Sequence, residues 1–246
     1  MLREAIITIT PAPVPRQATA LAWAIHALTA SGAVLAFFAL LAVEEGAYRL
    51  ALLWLAAALV VDGVDGPLAR WAGVRERTPG LDGATLDLVV DYLTYVFVPA
   101  LLIYRAGLLP GALAAAGAAA ILLSSLYTFA RADMKTDDNF FRGFPAVWNV
   151  VAFYLFLLQP GHMASAIVVG VFSALTFAPI HFIHPVRVRL YQPWLGVLTA
   201  AWGISSIALL WPGWSVPLMH AWLALSLAGA AALLGIGVLR TLRGRA

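Results

Sequence analysis

The sequence predicts an all-α polytopic membrane protein with about eight transmembrane helices. Three observations predict it. Of the 246 residues, 63% are hydrophobic, and the mean hydropathy is +0.90. A soluble domain holds roughly 45–50% apolar residues. The apolar residues come in separate runs, each near the roughly 20 residues that a bilayer-crossing helix requires. The charged residues, only 11% of the chain, gather in the connections on one side of those runs.

Residues 1–18 are polar and broken by prolines, and they read as a cytoplasmic or interfacial arm. Arg3, Glu4 and Arg16 around those prolines do not make a cleavable signal pattern. The first span covers 20–43 and the second 49–70. A loop over 71–83 holds Arg75, Glu76, Arg77, Pro79 and Gly80. The third span is 84–104. The fourth is 108–130, and its Ala/Gly run at 111–120 suits close helix packing and a homodimer contact. The most polar loop, 131–143, precedes a fifth span over 144–159, the shortest, which stops before Pro160-Gly161. The sixth is 163–183. A loop with Arg187 and Arg189 leads to the seventh, 194–211, which ends at Trp211-Pro212-Gly213. The eighth is 215–239.

With the N-terminus inside, all of the 15 Lys and Arg residues except Arg49 and Arg105 fall on the cytoplasmic side. That is the bias that orients membrane proteins. It puts both termini on the cytoplasmic face of the membrane. The net charge is +3, with Lys135 the single lysine, and the basic residues are spread through loops rather than gathered into a nucleic-acid patch. There are no cysteines, which excludes disulfides and thiolate metal sites. No internal repeat and no second domain is visible.

Within this apolar frame, Asp62, Asp65, Asp87 and Asp91 stand at or inside the ends of the second and third spans. Ionisable residues in membrane segments are costly and are usually paired or functional. Asp62, Asp65, Gly66, Ala69 and Arg70 fall at i, i+3, i+4, i+7 and i+8, and Gly83, Asp87 and Asp91 at i, i+4 and i+8. Each set therefore shares one helix face. Two such faces set opposite each other would make a cavity of carboxylates that repel unless cations lie between them. Hard oxygen ligands without thiols favour Mg²⁺ or Mn²⁺ over zinc. The plain alternative, four structural ion pairs, conflicts with the bilayer's penalty on unneeded carboxylates. Asp82 lies outside the pattern and reads as a loop or helix-capping residue.

The pattern D-x2-D-G-x2-A-R-…-G-x3-D-x3-D, filled here by Asp62, Asp65, Gly66, Ala69, Arg70, Gly83, Asp87 and Asp91, resembles the signature of the CDP-alcohol phosphatidyltransferase family. Residues 71–82, between Arg70 and Gly83, make a longer interval than most of that family has. The longer interval is similar to the branch that condenses CDP-diacylglycerol with free choline. The resemblance implies a six-helix catalytic core over 20–183, with two additional helices over 194–239, in one membrane-embedded domain. It implies two divalent cations, with Asp62 and Asp87 touching both, Asp65 one and Asp91 the other. It also implies that Asp91 takes the choline hydroxyl proton, and that Asp62, Gly66, Ala69, Arg70 and Gly83 bind the CMP portion. The loop ending in FRGFP looks like an element of related phosphatidyltransferases. Arg131, Lys135 and Arg142 in it are candidates for the lipid phosphates, with an ordinary positive-inside loop as the alternative.

A quaternary ammonium favours an aromatic box. Candidates are Tyr92, Tyr95, Trp148, Asn149, Tyr154, Trp23 and His26, although for any one of them packing or interface anchoring is the commoner role. The expected partners are CDP-diacylglycerol, choline, membrane lipids and a second copy of the chain. The rival readings are the same chemistry with serine, inositol or glycerol phosphate as acceptor, and a divalent-cation transporter. The rival acceptors that carry phosphate call for a dedicated basic cluster, for which Arg187 and Arg189 find no obvious third partner. The transporter calls for acids continuing across the membrane, and spans six to eight have none.

Overall fold

A computed structural model describes residues 16–244; most of the expected N-terminal arm lies outside the described residues. The described residues form helices, with two very short strands. Among the described residues, five helices are long and apolar enough to cross a membrane: α1 (Arg16–Glu44), α2 (Tyr48–Trp71), α4 (Gly83–Arg105), α5 (Gly111–Ala130) and α9 (Val216–Leu242). A one-turn helix, α3 (Val74–Arg77), sits in the loop after α2. Three more helices are apolar but shorter: α6 (Trp148–Leu158), α7 (His162–Leu175) and α8 (Trp194–Leu210). All eight expected segments are therefore helical, in the expected order. Five of them have the length of a span.

The shortfall has local causes. Pro145 and the left-handed Ala146 (φ 58°) delay α6 until Trp148, and Gln159 (φ 44°) ends it after 11 residues. At 1.5 Å per residue that is about 17 Å, against a hydrocarbon core of about 30 Å. The sixth segment, expected to run to 183, stops at Leu175 because the chain beyond it is drawn into a strand. This β2 (His181–Phe182) pairs antiparallel with β1 (Phe141–Arg142), Phe141 opposite Phe182 and Arg142 opposite His181. Gly143 makes the join possible. Its φ of +78° suits glycine, its N–H donates to the Ile180 carbonyl at 2.7 Å, and a Cβ there would overlap the Thr176 carbonyl.

Small side chains let the central helices approach closely. Ala36, Ala39 and Val43 of α1, Ala51, Leu52 and Leu55 of α2, and Val96, Val98, Leu102 and Ile103 of α4 form one buried cluster with Ile121 of α5, Trp148 of α6 and Val169 of α7. At the end where α1 turns into α2, Arg105 donates to Glu44 at 2.9 Å and the Tyr48 hydroxyl donates to the Arg105 carbonyl at 2.8 Å. These contacts tie α1, α2 and α4 together there. Asp62, Asp65, Asp87 and Asp91 stand toward the other end. Just past Asp91, α4 widens into a π-helical turn over Tyr92–Phe97, a local distortion that often marks functional sites.

Helices α8 and α9 pack on each other and on α6. The Tyr154 hydroxyl shares a hydrogen bond with Ser226 Oγ at 2.8 Å and accepts one from Trp202 Nε1 at 3.0 Å, and Ser206 Oγ lies 2.8 Å from Ser226 Oγ. Such interhelical hydrogen bonds hold helices together where the surrounding lipid is as apolar as the side chains.

Candidate active site

The site is assembled from the ends of two helices. α4 begins at Gly83 because Asp82 caps it: Asp82 Oδ1 accepts from the N–H groups of Ala84 (3.0 Å) and Thr85 (3.3 Å), and Thr85 Oγ1 donates to Oδ2 at 2.7 Å. The Thr85 and Ala84 hydrogen bonds hold the Asp82 carboxyl below its usual range. On α2, Pro67 lacks the N–H that would bond the Gly63 carbonyl one turn earlier, beside Asp62.

The carboxylates of Asp62, Asp87 and Asp91 each place an oxygen within 4.8 Å of the others. Two bare carboxylates at that separation repel by about 3 kcal/mol at an effective dielectric near 20. Among the described residues no Lys or Arg is in ion-pair contact with them. One neutral donor reaches the trio: the buried Tyr95 hydroxyl donates to Asp62 Oδ2 at 2.6 Å. An all-oxygen donor set with this much uncompensated charge fits a hard divalent cation. Asp65 is deeper, 4% exposed, and lies outside the trio but within electrostatic reach of each member.

Cations face the acids without touching them. Lys135 and Arg187 both act electrostatically on Asp62 and Asp87. The Lys135 ammonium sits 5.0 Å from the centre of the Phe141 ring, and that ring stacks on His184 at 5.2 Å with the planes 7° apart. Burial, then the Arg187 charge, pulls the Lys135 pKa down, while Asp87, Asp91 and Asp62 oppose the fall. Burial, then Lys135 and Arg187, pushes His184 down to about 3, so its ring is neutral at physiological pH. Arg70 is exposed on the same side, and its Nη1 lies 3.4 Å from where a Cβ on Gly66 would stand. Gly83 is close to α1: a Cβ there would lie 3.0 Å from His26 Cε1.

The seven aromatic and polar candidates for the choline ammonium do not converge. Tyr95 is at the acids. Tyr92, next in the chain to Asp91, donates to the Leu122 carbonyl at 3.3 Å. Trp148 is fully buried and donates to Ser125 Oγ at 2.9 Å. Asn149 is buried, with Oδ1 accepting from the Val150 N–H, and Tyr154 belongs to the network that docks α8 and α9. His26 is buried against Thr78 Oγ1 at 2.8 Å, with Trp23 edge-on to it, so this pair anchors the long loop between α2 and α4.

The three candidates for lipid phosphate also divide. Lys135 faces the acids. Arg131 grips Asp133 through Nε (2.8 Å) and Nη2 (2.9 Å), and with Arg142 it lines a separate cavity of about 240 Å³. Arg187, which the sequence offers only with Arg189 as an incomplete acceptor-phosphate cluster, joins the rim together with His184, which the sequence does not offer as a site residue. Their approach depends on the pairing of β1 with β2, and strands of two residues have no sequence period.

Membrane-crossing helices that hold a carboxylate trio fit for a hard cation, rimmed by cations fit for phosphate, define a membrane enzyme of phosphate-group chemistry. Residues 20–180 match the model of the CDP-alcohol phosphatidyltransferase family, and the chain belongs to that family. It is a phosphatidyltransferase. Its relatives include the phosphatidylcholine synthase of Pseudomonas aeruginosa, 49% identical over 185 residues that cover 75% of this chain and 78% of the relative. Those of Mesorhizobium japonicum (46% over 181 residues, 74% and 68%) and Agrobacterium fabrum (42% over 200 residues, 79% and 83%) are similar in the same way.

Proposed function

We propose that this protein is a phosphatidylcholine synthase, transferring the phosphatidyl group of CDP-diacylglycerol to the hydroxyl of choline with release of CMP. The observation that carries the choline assignment is the 42–49% identity to phosphatidylcholine synthases over about three quarters of this chain. The complete signature from Asp62 to Asp91 supports the chemistry.

In this reading Asp62, Asp65, Asp87 and Asp91 hold two divalent cations, Mn²⁺ or Mg²⁺. When bound, such cations neutralise the pyrophosphate and align it for displacement. Gly66, Ala69, Arg70 and Gly83 receive the CMP portion, with Asp62 beside it. Lys135 holds the lipid phosphate, joined by Arg187. Asp91 accepts the choline hydroxyl proton as the choline oxygen bonds to the phosphorus that bears the diacylglycerol, and the bond from that phosphorus to CMP breaks. Tyr92 and Tyr95, which follow Asp91 in the chain, are the first candidates for the choline ammonium.

The finer membrane reading is eight passes, with site and termini on the cytoplasmic face of a bacterial inner membrane. The positions of the Lys and Arg residues support it. So does the packing of α6 and α7 against other helices, since protein can shield non-helical backbone at membrane depth. A homodimer would use the exposed small residues of α5, Ala112, Ala115, Ala116 and Ala119.

The test is CMP release by purified protein in detergent with CDP-diacylglycerol and Mn²⁺, offered choline, serine, inositol or glycerol phosphate in parallel. Release with choline alone is expected. Release with another alcohol instead would transfer the same chemistry to a different acceptor, and release with none would remove the transferase reading.

A further inference from the structure

The last helix lies beyond residues 20–180 and carries none of the signature acids, yet its end is bolted to the loop that faces them. Arg240 is 5% exposed. Its Nε donates to Asp138 Oδ2 at 2.9 Å, its Nη2 to Asp138 Oδ1 at 3.4 Å, and its guanidinium lies 5.7 Å from the centre of the Phe140 ring. Asp138 passes the restraint on. Its Oδ1 accepts from Thr136 Oγ1 at 2.6 Å, and the turn is closed by the Thr136 N–H donating to the Phe140 carbonyl (2.8 Å) and the Phe140 N–H to Thr136 Oγ1 (3.0 Å). Lys135 precedes this turn and pairs across it with Phe141.

Two further contacts fix the same hairpin from behind. Phe140 is buried with Ile183, Val188 and Leu195, against Leu233 and Ile236 of α9. The His181 N–H in β2 donates to Thr241 Oγ1 at 2.8 Å, and a Cβ on Gly237 would overlap the His181 carbonyl. A buried arginine is costly unless its partners are well placed. A helix end placed in lipid for packing alone has no need of one.

We propose that Arg240 is a positioning residue for phosphatidyl transfer: through Asp138 it holds the 135–141 hairpin so that the Lys135 ammonium stays opposite Asp62, Asp87 and Asp91. The last helix is thus part of the working site rather than an added span. The inference rests on the transferase reading, in which Lys135 meets the phosphates of CDP-diacylglycerol.

The test compares wild type with Arg240→Ala, Arg240→Lys, Asp138→Asn, Lys135→Ala and the Arg240→Ala/Lys135→Ala double variant, as full chains in detergent. CMP release is followed while CDP-diacylglycerol and choline are varied separately, and limited trypsin cleavage after Lys135 is timed on the samples that keep Lys135. Arg240→Ala is expected to lower kcat/KM for CDP-diacylglycerol about tenfold, to leave the choline KM within about twofold, and to add nothing to Lys135→Ala, as residues acting through one another do. Arg240→Lys should restore most of the loss, and cleavage after Lys135 should quicken in Arg240→Ala. Should Arg240→Ala not stay monodisperse, Asp138→Asn, altered at a side chain 47% exposed, takes its place in the comparison. Multiplicative losses in the double variant, or a cleavage rate indifferent to Arg240 and Asp138, would overturn the proposal. If wild type releases no CMP with any alcohol, the transferase reading falls by itself, and the trypsin comparison still decides whether Arg240 holds the hairpin.

Discussion

Asp91 and Tyr95 sit one helical turn apart on α4 and do different work. Asp91 is the member of the trio assigned to proton transfer, so Asn, which keeps its shape, removes the base. Asp91→Asn is expected to slow CMP release by about 10²–10⁴-fold while leaving the protein folded; activity within a few fold of wild type would remove it as base. Tyr95 donates to Asp62 from a buried position. A hydrogen bond to a charged group contributes about 1.5–3 kcal/mol, so Tyr95→Phe should lower stability by about that much and raise the Mn²⁺ concentration needed for half-maximal activity. An unchanged Mn²⁺ curve would leave Tyr95 a packing residue. The acids were legible because a carboxylate in an apolar run is rare and their spacing of three and four sets one face. The Tyr95 contact was not, since any membrane tyrosine near the interface has an ordinary packing role.

Secondary structure divides along the same line. The eight apolar runs announced eight helices because hydropathy integrates over many residues. Pro145, Ala146 and Gln159 shorten α6, the short β1–β2 pairing curtails α7, and a π turn widens α4 after Asp91; the strand pairing and the π turn leave no periodic trace in the sequence. The network around Tyr154 shows what the paired helices α8 and α9 require. Tyr154→Phe keeps an aromatic face but strands the partners of its hydroxyl. It should destabilise the protein by about 1 kcal/mol, in the range of interhelical hydrogen bonds in membranes, and leave the choline KM unchanged. A marked rise in that KM would return Tyr154 to the acceptor site.

Taken as a whole, the molecule keeps most of its charge at one end, and two bulk measurements read that end. EDTA is expected to abolish CMP release and to lower the unfolding temperature. Restored Mn²⁺ should reverse both, because a ligand that binds only the folded carboxylate site stabilises it by mass action; full activity in EDTA would refute the cation assignment. His184, at about 3 when folded against 6.5 ordinarily, makes the unfolded chain bind more protons between those values. Stability should therefore fall as pH drops from about 6.5 toward 3. Thermal unfolding of His184→Gln should show a shallower slope over that window, and an identical slope would place the titration elsewhere.

The acids lie toward one end of α2 and α4, away from the Glu44–Arg105 pair at the other. A site so placed meets lipid headgroups in a single leaflet. In the proposed reaction each turnover takes an anionic nucleotide-lipid from that leaflet and leaves a zwitterionic one in the same place, so the negative surface potential fades on one face only. Evening out the two faces of the bilayer falls to whatever moves lipids across it, because nothing in the reaction carries the product to the far side.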